Sequence, residues 1–148
     1  MKTYIFKHSL LGVILGLSIL GCTEGDKFDY NKNMAFITGT ETTPVTKFVV
    51  EDTPSSYAVT ASTTDKVDKD VNVKFAIDRS LVETYNNEHN TKYYAIPEGA
   101  VTLEDADAVI QAGKAFSTPA TVKVISTEDF AEGRVYVVPV TMVEVDGL

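Results

Sequence analysis

Apolar and polar residues alternate along much of this chain, with the two-residue period of strands. Val71, Val73, Phe75 and Ile77 alternate with Asn72, Lys74 and Ala76, and Tyr57, Val59 and Ala61 alternate with Ala58, Thr60 and Ser62. Such a segment buries one face and wets the other, as a half-buried strand does. Residues 121–124 repeat the pattern, and 135–143 form a longer β-branched run. Shorter candidates are 34–38, 46–50, 100–103 and 108–111. Thr- and Val-rich strands separated by Asp, Asn, Gly and Pro turns predict an all-β, antiparallel sandwich. Pro139 falls inside the last run and cannot donate a ladder hydrogen bond, so that strand is expected to lie at an edge or to bulge there.

One segment departs from this period. Residues 79–87 read as a short helix, with Ser80 and Glu83 at the spacing of a capping box. Leu81 and Tyr85 are four apart and would share a face against the sandwich. Asn86 and Asn87 favour its termination.

The N-terminus carries a different pattern. Lys2 and Lys7 precede an apolar stretch at 10–20, shorter than the ~20 residues a spanning helix needs. A charged start, a short apolar core and a small residue, Gly21, are the parts of a secretory signal peptide. Cys22, the only cysteine, follows directly. The run Ile19-Leu20-Gly21-Cys22 resembles the lipobox of bacterial lipoproteins, with Ile19 where Leu is usual and Leu20 where a smaller residue is usual. That resemblance makes Cys22 the lipidation site and the first residue of the mature chain; the other reading is an ordinary signal peptide with an incidental cysteine. Each buried lipid methylene contributes about 0.8 kcal/mol, so the two chains on a lipoprotein cysteine anchor firmly. Residues 23–29 are polar and acidic. They read as a solvated tether or, by resemblance to surface lipoproteins of the Bacteroidetes, as an export signal. The expected organisation is signal peptide 1–21, lipidated Cys22 and tether to 32, and one domain over 33–148, lipid-anchored in the outer membrane and exposed at the cell surface.

Charge narrows the partners. The net charge of −8 becomes −10 when residues 1–21 leave, because Lys2 and Lys7 go and no acid does. An acidic domain without a basic patch does not attract nucleic acid. With its one thiol lipidated, the domain has no disulfide and no thiolate metal site.

Catalytic candidates are few. His89 is the single histidine beyond the signal peptide and sits in a polar stretch, 86–91, that reads as a loop. Asp65, Asp68 and Asp70, and Glu104, Asp105 and Asp107, form two acidic clusters, but neither follows the order of an EF-hand. Both read as solvated turns, so no metal or cofactor is expected. No carboxylate pair has a spacing that marks glycoside hydrolysis, and no enzyme activity is expected. The chain has no Trp. Tyr93 and Tyr94 are adjacent, so in an extended segment one points inward and the other outward. The outward ring would offer a shallow ligand platform, since aromatic faces stack on the apolar faces of sugars.

The run Val73-Lys74-Phe75-Ala76-Ile77-Asp78, followed by Ser80-Leu81-Val82 and Tyr85-Asn86, resembles the core of a Bacteroidetes surface-lipoprotein domain of unknown function. Tyr93-Tyr94-Ala95-Ile96-Pro97, Val109-Ile110 with Ala112-Gly113, and Tyr136-Val137-Val138-Pro139-Val140 extend the match, with Ile96, Val138 and Val140 in place of the family's Leu. The resemblance implies an immunoglobulin-like sandwich at the N-terminus of glycan-associated lipoproteins. In that family the domain often precedes a lectin-like module or occurs with a chitinase-like endoglycosidase, and is not itself catalytic. The function it implies is a surface spacer or interaction domain in a glycan-capture context, whose partners are the membrane and glycans or other glycan-utilisation proteins. Two other readings are a glycan-binding protein in its own right and an adhesin or pilus-like subunit.

Overall fold

The computed structural model describes residues 33–148, so the readings on the signal peptide, Cys22 and the tether lie outside the described residues. Among the described residues ten strands, one α-helix and a short 3-10 turn (Glu98–Ala100) follow one another, as expected of an all-β sandwich. β4 (Val71–Ile77) is central to one sheet, between β10 (Val140–Asp146) and β7 (Asp107–Ile110), and both neighbours run antiparallel to it. β8 (Ala120–Val124) is central to a second antiparallel sheet, between β2 (Ser55–Val59) and β6 (Val101–Glu104). Alternation explains the core. Val71, Val73 and Phe75 of β4 meet Ala120, Val122 and Val124 of β8 in one buried cluster, while Asn72 and Lys74 face solvent.

The run 57–62 divides at Thr60. Its first half is β2, and its second half becomes β3 (Ala61–Thr63), which pairs with β1 (Ala35–Ile37) instead of β8. A strap at Phe116 and Ser117 bridges β3 to β7 through single contacts with Ser62 and Ile110. Ser117 is buried, and its hydroxyl accepts from the Ala61 N–H at 2.9 Å and donates to the Thr118 carbonyl at 2.7 Å.

Two further readings change in detail. Residues 46–50 form no strand; Phe48 and Val50 only lean on the core from the side. The long run divides at Pro139 into β9 (Val135–Val137) and β10, both edge strands as expected of that run, with no bulge at Pro139 itself. The carbonyl of Pro139 accepts from the Asp78 N–H at 2.9 Å. β10 does flank its sheet, and it is irregular between Met142 and Glu144.

The helix α1 spans Leu81–His89, two residues later than expected, and the capping box does not form. Ser80 is already helical, at φ −65° and ψ −25°. Asp78 takes over instead: its Oδ1 accepts from the Ser80 N–H at 3.0 Å and from the Ser80 hydroxyl at 2.6 Å. The buried residue of α1 is Val82, whereas Leu81 is exposed. Asn86 does not end the helix. That falls to Asn90, in the left-handed region at φ 51°, whose N–H bonds back to the Asn86 carbonyl.

Candidate functional site

One strand pair departs from the antiparallel plan. β5 (Tyr93–Ala95) runs parallel to β9, with Tyr93 opposite Val135, Tyr94 opposite Tyr136 and Ala95 opposite Val137. A two-stranded ribbon is marginal by itself, and here α1 supports one side of it. The Asn86 side chain donates to the Tyr93 carbonyl at 2.9 Å, and its oxygen accepts from the Tyr93 N–H at 2.9 Å and the Thr91 hydroxyl at 2.8 Å. Tyr93 is half-buried and stacks on Tyr85, with ring centroids 6.0 Å apart. Tyr85 in turn packs against His89, with centroids 4.2 Å apart and planes tilted by 30°. His89 is therefore the last helical residue, packed ring on ring, and not a loop residue. Val82, Tyr85, Asn86 and His89 fall on one stripe, at the helical spacing of three and four.

Tyr94 turns the other way and is 41% exposed. Its partner Tyr136 lies 6.0 Å away centroid to centroid, and Tyr136 stacks on Phe130 at 4.4 Å with planes 21° apart. The Arg134 guanidinium sits over the Tyr94 ring, 4.5 Å from its centroid, at cation–π distance. The Tyr136 hydroxyl accepts from the Ala131 N–H at 3.0 Å and so pins the loop before β9. The result is an open aromatic face of three rings and one cation. Of the two tyrosines singled out in the sequence, Tyr93 braces the ribbon and Tyr94 faces solvent. Tyr136, Phe130 and Arg134 carried no local signal, because parallel pairing across forty-odd positions is what gathers them.

The acidic clusters do different work. Among the described residues no group of three metal-ligating side chains converges. Asp70 accepts from the Ala112 N–H at 2.8 Å and ties two loops together. Glu104 pairs with Lys123 at 3.2 Å, and Asp107 with Lys74 at 3.9 Å. A shallow groove of about 240 Å³ on the outer side of the β10–β4–β7 sheet is lined by Asn72, Lys74, Asp107, Val109 and Glu144. Its floor is the sheet itself, and its charges lie in cross-strand register, with Lys74 between Asp107 and Glu144.

A family model described as an N-terminal domain matches residues 30–148. The chain belongs to that family. It is the Bacteroidetes domain that the sequence resembles, and solved structures of similar fold come from Bacteroides. A candidate carbohydrate-binding protein of Bacteroides ovatus ATCC 8483 aligns with TM-score 0.61 at 20% identity, over 66% of this chain and 28% of that one. A two-domain protein of unknown function from Bacteroides fragilis NCTC 9343 aligns with TM-score 0.59 at 15% identity, over 86% of this chain and 43% of that one. EndoBT-3987 of Bacteroides thetaiotaomicron, in complex with a Man5GlcNAc product, aligns with TM-score 0.50 at 24% identity, over 60% and 21%. The chain thus spans less than half the length of each. No curated protein matches the sequence.

Proposed function

We propose that this chain is a non-catalytic, lipid-anchored module of the cell surface, a spacer or interaction domain in a glycan-capture context. The observation that carries the reading is its match to an N-terminal domain family, together with its likeness to three longer solved proteins, of which it covers 28%, 43% and 21%. One of those proteins is described as a candidate carbohydrate binder and another holds a glycan product, which supports a glycan setting. On this reading the sandwich supplies position, and sugar chemistry belongs to other parts or partners. Cys22 supplies the anchor and residues 23–32 the tether. The test is fractionation of cells expressing the chain. Cys22→Ser is expected to move it out of the membrane fraction, and a variant that stays there removes the anchor from the account.

A second reading is favoured by the aromatic face: the domain binds glycan itself, with Tyr94 as the stacking ring. A broad glycan array probed with wild type, Tyr94→Ala and the double variant Tyr93→Ala/Tyr94→Ala checks it. Unchanged binding by both variants would end that reading. Strand addition of the adhesin type finds less support on β10. Its irregular register and the acids Glu144 and Asp146 are devices that blunt an edge.

A further inference from the structure

The aromatic face carries a cation without an anionic partner among the described residues. The chain has two arginines, Arg79 and Arg134. Arg79 is engaged, its Nε donating to the Ile96 carbonyl at 3.1 Å. Arg134 is exposed and makes no ion pair or hydrogen bond through its side chain among the described residues, whose ion pairs are Lys74–Asp107 and Lys123–Glu104. Glu128, Asp129 and Glu132 lie on the same loop and leave it unpaired. The Tyr94 ring holds the guanidinium in place, so its planar fork of N–H donors is presented to solvent on an aromatic floor.

We propose that the Tyr94–Tyr136–Arg134 face binds acidic glycans, gripping the carboxylate of a uronic or sialic acid residue. The proposal deepens the glycan-binding reading and rests on it. A sugar ring brings two chemistries at once: an apolar C–H face that packs on the part of the Tyr94 ring left exposed beside the guanidinium, and a rim of polar groups. A carboxylate on that rim meets the guanidinium in the bidentate geometry that arginine favours. Tyr136 adds a polar contact, because its oxygen already accepts from Ala131 and its own hydrogen remains to donate. On a chain of net charge −8, with Glu128, Asp129 and Glu132 on the same loop, an anion needs a direct contact with a cation, and Arg134 offers one beside the exposed Tyr94 ring. A neutral sugar would use the rings and offer the guanidinium hydroxyl acceptors without the charge-assisted bidentate pair. An acidic peptide would satisfy the guanidinium but brings no rigid apolar ring for Tyr94.

The test uses the full chain on an array of uronate-containing, sialylated and neutral oligosaccharides, with each acidic hit repeated as its methyl ester. Arg134→Gln and Tyr94→Ala are run beside wild type, and thermal unfolding confirms that both exposed-site variants are folded. The expected result is a set of acidic hits weakened about tenfold or more by esterification and by Arg134→Gln, the scale of a lost charged hydrogen bond. Acidic hits that withstand both changes overturn the proposal. Neutral hits alone, lost in Tyr94→Ala, overturn the role of charge while the glycan-binding reading stands. No hit in any class overturns both.

Discussion

The side-chain amide of Asn86 brackets the peptide groups of Tyr93, donating to its carbonyl and accepting from its N–H, both at 2.9 Å. One helical residue therefore fixes the start of β5, and with it the ribbon that presents Tyr94. Asn86→Ala leaves both Tyr93 groups and the Thr91 hydroxyl without this partner, in a part-buried setting. The expected loss is about 1–3 kcal/mol of stability in denaturant unfolding. Asn86→Asp keeps the acceptor and loses the donor, so it is expected to fall between. Amide exchange at Tyr93 should quicken in both variants. An alanine variant with wild-type stability and exchange would show that the ribbon is held by its aromatic stacks instead.

The face of α1 that packs is set by Val82. Val82→Ala is expected to cost about 1–2 kcal/mol, two buried methyl groups' worth. Leu81→Ala, at an exposed position, is expected to stay within about 0.5 kcal/mol. Chemical denaturation of the two variants side by side checks this, and the reverse order would restore Leu81 to the interface.

Ser117 closes the strap between β3 and β7. Ser117→Ala strands the buried Ala61 N–H, which accounts for an expected loss of about 1–3 kcal/mol. Thermal unfolding is the readout, and a variant within error of wild type would mean that the strap is redundant.

Lys123 and Glu104 are the shorter of the two ion pairs, at 3.2 Å, yet their side chains are 33% and 50% exposed. Solvent screening leaves such a pair worth less than about 1 kcal/mol. Lys123→Ala is expected to leave unfolding nearly unchanged, in low and high salt alike. A loss above that bound would show that β6 and β8 lean on charge more than on Val101 and Val122.

Where burial alone decided an element, the sequence was enough to find it. β4 is the case in point: strict alternation of Val71, Val73 and Phe75 with Asn72 and Lys74 is what a strand between two antiparallel neighbours and a core requires. Alternation records which side is wet, and it does not record which strand is the neighbour. So 57–62 reads as one strand although it changes partner at Thr60, and 46–50 reads as a strand although nothing pairs with it. The helix was visible in outline, but its cap was not, because Ser80 adopts helical angles and hands its hydroxyl to Asp78. The candidate face was half visible. Two adjacent tyrosines announce one outward ring, whereas Arg134, Tyr136 and Phe130 reach that ring only through the parallel pairing of β5 with β9. Asn86 reads locally as a helix stop, and its real task is tertiary.

Display at the cell surface of a module held by Cys22 is tested most directly by treating intact cells that express the full chain with an added protease. Wild type is expected to be digested at the outer face, while a periplasmic control protein in the same cells survives. Cys22→Ser is expected to be missing from the membrane fraction of those cells. A wild-type chain that survives in intact cells and is digested only after they are broken would contradict surface display, and a Cys22→Ser chain that remains membrane-bound would contradict the anchor.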